Sequence, residues 1–311
     1  MLVLAAGCAS ASSQMYLVTA AVEHLRAAPG TTPQPGTHDP DQETQLLYGE
    51  HVRLISTQDA WAYVEAMEQP EFTHANRWQG YPGWLPLSSL QPQHRKRSVN
   101  AVITTKWATI WSDEPQRQRA FDLPMGTWLY VEPSDGDTVP VWLANGAQGW
   151  LARREIEWLK SLRGLPPQTR RRRIVQAASQ LLDDPYVWGG RSPFKSEAES
   201  VTGVDCSGLV NLSYRTVGIT IPRDAHEQFL RAERVAQLQP ADLIFLSDEN
   251  QPRKITHVML YAGEGWLIEG PGTGLTVRRM TVAQRFGRPL DRLQPGTLVG
   301  HRTVYFGTYL P

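Results

Sequence analysis

Along the first half of the chain, hydrophobic positions alternate with polar ones over short runs that turn residues interrupt. From Gly49 the sequence reads GEHVRLISTQDAWAYVEAM and closes at Gly83-Trp84-Leu85. From Gly126 it reads GTWLYVEPSDGDTVPVWLANGAQ and closes at Gly149-Trp150-Leu151. Each segment has a glycine, an alternating strand, a polar turn, a second strand and a Gly-Trp-Leu ending. Such alternation between turn residues marks half-buried strands, so two small β modules in tandem are predicted. The first has a longer final connection, Gln69 to Tyr81 (QPEFTHANRWQGY), which is either a solvated hairpin loop or a loop that reaches an adjoining site. Upstream, Thr31 to Asp41 (TTPQPGTHDPD) reads as an extended linker or an arm wrapping a domain.

The pattern changes after Arg163 to Arg173 (RGLPPQTRRRR). Two prolines end the preceding element there, and a helical pattern is predicted from about Ile174. The four consecutive arginines read as a solvated first turn, with contact to an anionic polymer or lipid head group as the alternative. In Val204 to Gly218 (VDCSGLVNLSYRTVG), apolar residues fall at Leu209, Val210, Tyr214 and Val217, the spacing of an amphipathic helix. Asp205 stands at the N-cap position and Gly218 at the C-cap. That places Cys206 in the first turn of a helix packing one face on a core. Unpaired N–H groups there favour negative charge, hence thiolate over thiol, and they can receive an oxyanion.

A base for such a thiolate must come from elsewhere in the chain. Ala241 to Leu246 (ADLIFL) and His257 to Tyr261 (HVMLY) read as buried strands joined by a polar turn. A third strand, Trp266-Leu267-Ile268, follows the Gly263-Glu264-Gly265 turn, a tight hairpin, and ends in Glu269. His257 and Glu269 are then expected at the same end of one sheet. The carboxylate would accept the Nδ1–H of His257 and fix its tautomer. A lone histidine at a strand start is more often structural. Its position between ADLIFL and Glu269 favours catalysis in a Cys–His template. His226, in RDAHEQF, reads as a helix residue outside the site.

Composition narrows the function classes. With 311 residues, two or three units are expected. Lys plus Arg and Asp plus Glu are 31 each, which disfavours a nucleic-acid binder. No apolar run is long enough to span a bilayer. HExxH, paired-cysteine spacing and a P-loop are all absent, so neither a metal nor another cofactor is expected. Eleven tryptophans, 23 prolines and 25 glycines suit small β modules with many turns.

The two cysteines are Cys8 and Cys206. The opening MLVLAAGCAS resembles the end of a bacterial lipoprotein signal, in which Cys8 would carry lipid; an apolar N-terminal helix is the alternative. Ala5 stands where leucine is commonest in such signals, and no Lys or Arg precedes the apolar run. The lipoprotein reading implies a cell-envelope location with membrane anchoring through Cys8, and leaves Cys206 a free thiol. The helix reading implies a cytoplasmic protein.

Several segments together resemble the NlpC/P60 family of cysteine peptidases: Asp205-Cys206-Ser207-Gly208-Leu209-Val210, Pro240-Ala241-Asp242-Leu243-Ile244-Phe245, Thr256-His257-Val258 and Ile268-Glu269-Gly270-Pro271-Gly272. Pro185-Tyr186-Val187-Trp188-Gly189-Gly190 and Ile221-Pro222-Arg223-Asp224 also fit, and the likeness covers nearly all of the chain after Arg170. The two β modules are similar to bacterial SH3-like barrels. The resemblance implies an α+β, papain-like catalytic domain over residues 163–311. Two all-β SH3-like domains would precede it, at 12–95 (with an N-terminal arm) and 96–162, after a possible signal remnant at 1–11.

It further implies Cys206 as nucleophile and His257 as general base. The third, orienting position falls on Glu269, where the family more often has His, and sometimes Asn or Gln; a carboxylate also orients imidazole. Tyr186 would serve as oxyanion donor or positioner, Asp205 would meet a free α-amine on the substrate, and Ser207 its carboxylate. Tyr81 would close the far wall. The combination looks like the subgroup that cuts γ-D-glutamyl–diamino acid bonds in peptidoglycan stem peptides, here on small muropeptides with a free N-terminal L-Ala and as a monomer. Rival readings are a D,D-endopeptidase or amidase acting on intact wall, and a wall-binding protein with a decayed catalytic domain.

Overall fold

The computed structural model describes residues 14–93, 98–114, 117–196 and 201–311. Cys8, and with it the lipoprotein expectation, lies outside the described residues. Between Met15 and Pro92 seven strands form one antiparallel sheet around a core of Val18, Leu25, Leu46, Val52, Val64 and Leu85. A second seven-stranded sheet from Ala101 to Trp158 encloses Ile103, Ile110, Leu123, Val131, Val141 and Leu151. The repeated signature has the same physical basis in both. Gly49 and Gly126 have φ of 76° and 80°, which favours glycine at each turn. A Cβ on Gly83 would lie 2.6 Å from Leu25 Cγ, and one on Gly149 would lie 2.8 Å from Ile110 Cγ2. Each Gly-Trp-Leu glycine thus lets a core aliphatic side chain touch the backbone.

The polar stretch after residue 31 is an anchored arm. The Arg26 guanidinium, buried to 1 % exposure, donates to Asp39 at 2.9 and 3.2 Å and to the Thr32 carbonyl. His38 of this arm stacks on Trp188 of the following domain, with ring centroids 4.3 Å apart.

The third unit contains helices α1 (Pro167–Gln180), α2 (Cys206–Arg215) and α3 (Ala225–Arg231). Its strands are β1 (Leu243–Ser247), β2 (Ile255–Gly263), β3 (Trp266–Glu269), β4 (Arg278–Thr281) and β5 (Arg302–Thr308), with a short helix α4 (Val282–Phe286) between the last two. The antiparallel order is β5-β1-β2-β3-β4. Leu243 and Phe245 face the helices, whereas Ile244 and Leu246 face Val282, Phe286 and Leu293. Burial on both faces explains why ADLIFL reads as a continuous apolar run. The Glu264-Gly265 turn has φ of 53° and 77°, as a tight hairpin with two left-handed central residues requires.

Three sequence expectations change here. The helix predicted from Ile174 starts at Pro167, where a proline at the first turn gives up no hydrogen bond. Within the arginine run, Arg171 is 1 % exposed and bonds Asp242 at 2.6 Å and the Leu310 carbonyl at 3.0 Å. It is a core ion pair, not part of a solvated turn.

The third change concerns α2. All ten of its residues are buried, not one face. One side packs on β2 and α1. The other meets the β modules: Arg215 Nε donates to the Gly126 carbonyl at 2.7 Å and the guanidinium lies 4.2 Å from the Trp128 ring centroid. Arg191 Nη2 reaches Glu50 Oε1 at 2.8 Å and its Nε reaches Asn211 at 2.6 Å. Val22, Leu47 and Met125, all from the β modules, belong to the catalytic core. The three units therefore share one buried seam with α2 at its centre.

Candidate active site

Asp205 caps α2: its Oδ1 accepts from Gly208 N at 2.6 Å, leaving Cys206 as the first helical residue. Gly208 is required by packing, because a Cβ there would run into the Gly190 carbonyl. That carbonyl accepts from Asp205 N at 3.1 Å, which seats the start of the helix on the 185–191 segment. Cys206 is a free thiol, 9 % exposed.

His257 lies in β2 where its ladder with β1 slips by a residue opposite Leu246 and Ser247. Irregularities of this kind re-aim side chains. Its Nε2 sits 2.9 Å from Glu269 Oε2, and the ring also hydrogen-bonds Cys206. The structure thus corrects the expected pairing: the carboxylate engages Nε2, and Nδ1 is the nitrogen left for the thiol. Burial disfavours the charged ring, but the hydrogen bonds and negative charges of Cys206 and Glu269 outweigh it and raise His257 to about 9. Glu269 is fully buried. Desolvation works against its charge, and the His257 hydrogen bond with the cations around it prevails, holding it down at about 2.

Two of those cations were not anticipated. Arg278 donates to Glu269 Oε1 from Nε at 3.0 Å and Nη2 at 2.7 Å, and Arg285 Nε donates to Oε2 at 3.0 Å. Arg278 is the direct cross-strand partner of Glu269. Arg285 comes from α4, whose start is fixed by a Thr281–Gln284 capping box.

Asp205 and Ser207 share one hydrogen-bond network. Asp205 Oδ2 accepts from Gly189 N at 3.1 Å and from Arg223 Nη2 at 2.8 Å. Its Oδ1 accepts from Ser207 Oγ and Arg223 Nη1, both at 3.1 Å, besides Gly208 N. Ser207 Oγ also accepts from Arg223 Nη1 at 2.9 Å and is 4 % exposed. Both side chains belong to an internal network around a fully buried guanidinium.

Further negative charge lies one step out. Tyr81, from the first β module, donates to Asp224 Oδ2 at 2.9 Å and stands 3.3 Å from Glu43 Oε2. Asp224 also faces Arg223 at 3.6 Å, which links this cluster to Asp205 and Cys206. Desolvation by the surrounding protein raises the Asp224 carboxyl to about 7 against the pull of Arg223, with Glu227 and Asp205 adding to the rise and Tyr81 opposing it; the side chain itself keeps 40 % exposure. His74, from the long 69–81 connection, bridges Glu71 at 3.0 Å and Glu43 at 3.5 Å and is raised to about 9, chiefly by Glu43. The ends of that connection, Glu71 and Tyr81, are buried, and Thr73 N donates to Glu227 of α3 at 3.2 Å, while residues 73–78 at its tip are exposed.

Tyr186 packs against the backbone of Gly270 and feels burial and the charges of Asp205 and Cys206, which push its phenol well above the usual range. His226 lies in α3 and accepts from Ile255 N at 3.2 Å, a structural contact as its sequence context suggested. Arg223 and Asp224 stand in a motif visible in the sequence, although their charge pairing was not. Glu43 carried no local signal at all. No cluster of three or more His, Cys, Asp or Glu that could hold a metal occurs among the described residues, nor does any helix there have the length and apolarity to cross a membrane.

Fold and site define a papain-like cysteine peptidase domain preceded by SH3-like domains. Residues 183–300 match the model of the NlpC/P60 family, and residues 36–68 match a bacterial dipeptidyl-peptidase SH3 domain. A Bacillus cereus protein named gamma-D-glutamyl-L-lysine dipeptidyl-peptidase is 30% identical over 235 residues, covering 74% of this chain and 67% of that protein. A Bacillus subtilis protein of the same name is 27% identical over 247 residues, covering 78% and 76%. The crystal structure of an NlpC/P60 family protein from Bacillus cereus superposes with a TM-score of 0.77 at 23% identity, over 96% of this chain and all of that one. The chain belongs to the NlpC/P60 family.

Proposed function

We propose that this cysteine peptidase hydrolyses the γ-D-glutamyl–diamino acid amide of peptidoglycan stem peptides that begin with a free L-alanine. The cluster of Glu43, Tyr81 and Asp224 carries this reading. It gathers two carboxylates and a phenol, from two domains, beside the segment that holds Cys206. A substrate ammonium docked there would pair with a carboxylate of raised pKa and favour its ionised form. A glycan-linked stem peptide has an acylated nitrogen at that point, which brings no charge to pair with the two acids. The names of the Bacillus relatives support the same bond.

In the proposed mechanism His257 holds the Cys206 proton as imidazolium, and the thiolate attacks the γ-carbonyl carbon. The helix N-terminus, with Tyr186 beside it, offers donors to the developing oxyanion. Collapse expels the α-amine of the diamino acid, which takes its proton from His257 Nδ1. Water, deprotonated by the same nitrogen, then attacks the thioester and releases L-Ala-γ-D-Glu with the thiol restored. Glu269 keeps the ring oriented through Nε2. Its 2.9 Å contact with His257 supports an active site and argues against a decayed one.

The test uses the purified chain and Cys206→Ala with L-Ala-γ-D-Glu-meso-diaminopimelate, its lysine counterpart, and the N-acetylmuramyl form of each, read by mass spectrometry. Release of the free diamino acid from the unblocked tripeptides alone, and only with Cys206 present, is expected. Equal cleavage of the blocked forms would remove the amine-recognition argument. No product from any of them at pH 5 to 9 under reducing conditions would overturn the substrate.

A further inference from the structure

Glu269 is a charged residue at the site's third position, fully buried, yet its oxygens accept three guanidinium hydrogen bonds as well as one from His257. A bare buried carboxylate 2.9 Å from an imidazole would hold the imidazolium so firmly that the ring becomes a poor base. Proton affinity of a catalytic base must stay near the working pH. Here Arg278 holds Oε1 of the carboxylate, while Arg285 shares with His257 the other oxygen, Oε2. We propose that these two arginines are positioning residues that fix Glu269 and cancel part of its charge, so that a carboxylate serves His257 as a near-neutral hydrogen-bond partner would. This inference rests on the Cys206–His257–Glu269 reading above.

The placement of both arginines follows from separate elements. Arg278 is fixed by the β3–β4 register, in which it stands directly opposite Glu269. Arg285 is delivered by a five-residue helix held between a capping box and a left-handed cap at Gly287. Two independent elements thus converge on one carboxylate. Among the remaining surroundings, Cys206 is the other negative charge acting on His257. β1 presents Leu246 opposite it, α2 presents Cys206, and the titratable side chain that α3 turns toward β2 is His226, engaged with Ile255 N. Arg278 and Arg285 are 45 % and 25 % exposed, and each single replacement leaves the buried Glu269 carboxylate with His257 and the other arginine, so the fold is expected to survive.

The test has two arms. In a Cys206→Ser background, where the thiolate no longer contributes, the His257 ring is titrated by nitrogen-15 NMR with Arg278→Gln, Arg285→Gln and both. The inference expects its pKa to rise in each variant, by about half a unit singly and more in the pair, since exposed charges are partly screened. In the active protein the alkaline limb of kcat/KM should move up by the same amount, and Arg285→Lys should return it toward the parent value. An unchanged or lowered His257 pKa, or activity lost evenly at all pH with no displaced limb, would overturn the charge-cancelling role. The NMR arm needs no substrate, so a wrong choice of peptide cannot imitate that result. A His257 titration indifferent to Glu269→Gln would instead sink the underlying triad.

Discussion

Glu269 Oε2 lies 2.9 Å from His257 Nε2, so the nitrogen that serves Cys206 is Nδ1. The pair divides the work of the ring between an orienting side and a reacting side. Replacing Glu269 with Gln keeps a group of the same shape but removes its charge. It also leaves Arg278 and Arg285 a single amide oxygen in place of a carboxylate. We expect kcat/KM to fall by about 10- to 100-fold with KM little changed, and the His257 titration to move down. Steady-state kinetics across pH with the unblocked tripeptide checks this.

The same two groups tie stability to pH. His257 is raised from 6.5 to about 9 in the folded chain, so its contribution is full below the unfolded value and is lost as pH climbs from about 6.5 through 9. Glu269 is lowered from 4.5 to about 2. Its contribution is full above 4.5 and is lost as pH falls toward 2. Urea midpoints should therefore decline on both sides of a plateau between roughly pH 5 and 6.5. His257→Gln should flatten the alkaline decline and leave much of the acid one.

Amine recognition should be separable from chemistry. Tyr81→Phe removes the hydroxyl that donates to Asp224 at 2.9 Å, and Asp224→Asn removes a carboxylate. A charge-assisted hydrogen bond of this kind stabilises by about 1.5–3 kcal/mol, which corresponds to roughly a 10- to 100-fold loss in kcat/KM for the free tripeptide. Any residual turnover of an N-acetylated tripeptide should be unaffected. With the wild type, KM for the free tripeptide should fall as pH rises through about 7, where the Asp224 carboxyl ionises. Equal losses on both substrates would place these residues in folding instead.

The seam between the units should behave as a buried ion-pair network. Glu50 is 1 % exposed and accepts from Arg191 at 2.8 Å, with Arg215 at 3.3 Å. Glu50→Ala would strand the fully buried Arg191 guanidinium, at a cost of about 3–5 kcal/mol. Urea unfolding should show a lower midpoint. The seam forms one continuous core, so the β modules and the catalytic domain are expected to unfold together.

Gly208→Ala is a sharper probe of the nucleophile. The added methyl would collide with the Gly190 carbonyl that seats the start of α2. Activity should drop far more than the folded fraction, since the helix must shift at the turn that carries Cys206. Circular dichroism beside turnover distinguishes this from general unfolding.

Much of this protein is written locally. Alternation in the first half, the Gly-Trp-Leu endings, the Asp-Cys-Ser-Gly helix start and the Gly263-Glu264-Gly265 hairpin all act through near neighbours in the chain. Helix caps, turns and strand periodicity are short-range effects, so they can be read residue by residue. The pairing of His257 with Glu269 was also within reach, because a single tight hairpin separates them. The tertiary structure decided what depends on distant segments meeting. A periodic apolar stripe suggested one buried face for α2, but both β modules cover the other, and Arg171, Arg191 and Arg223 vanish into the interior only because Asp242, Glu50 and Asp205 arrive from elsewhere. The same holds for Glu43, Tyr81 and Asp224, and for the two arginines on Glu269. Charges look solvated in a sequence, and only packing shows which ones have a partner close enough to offset their burial.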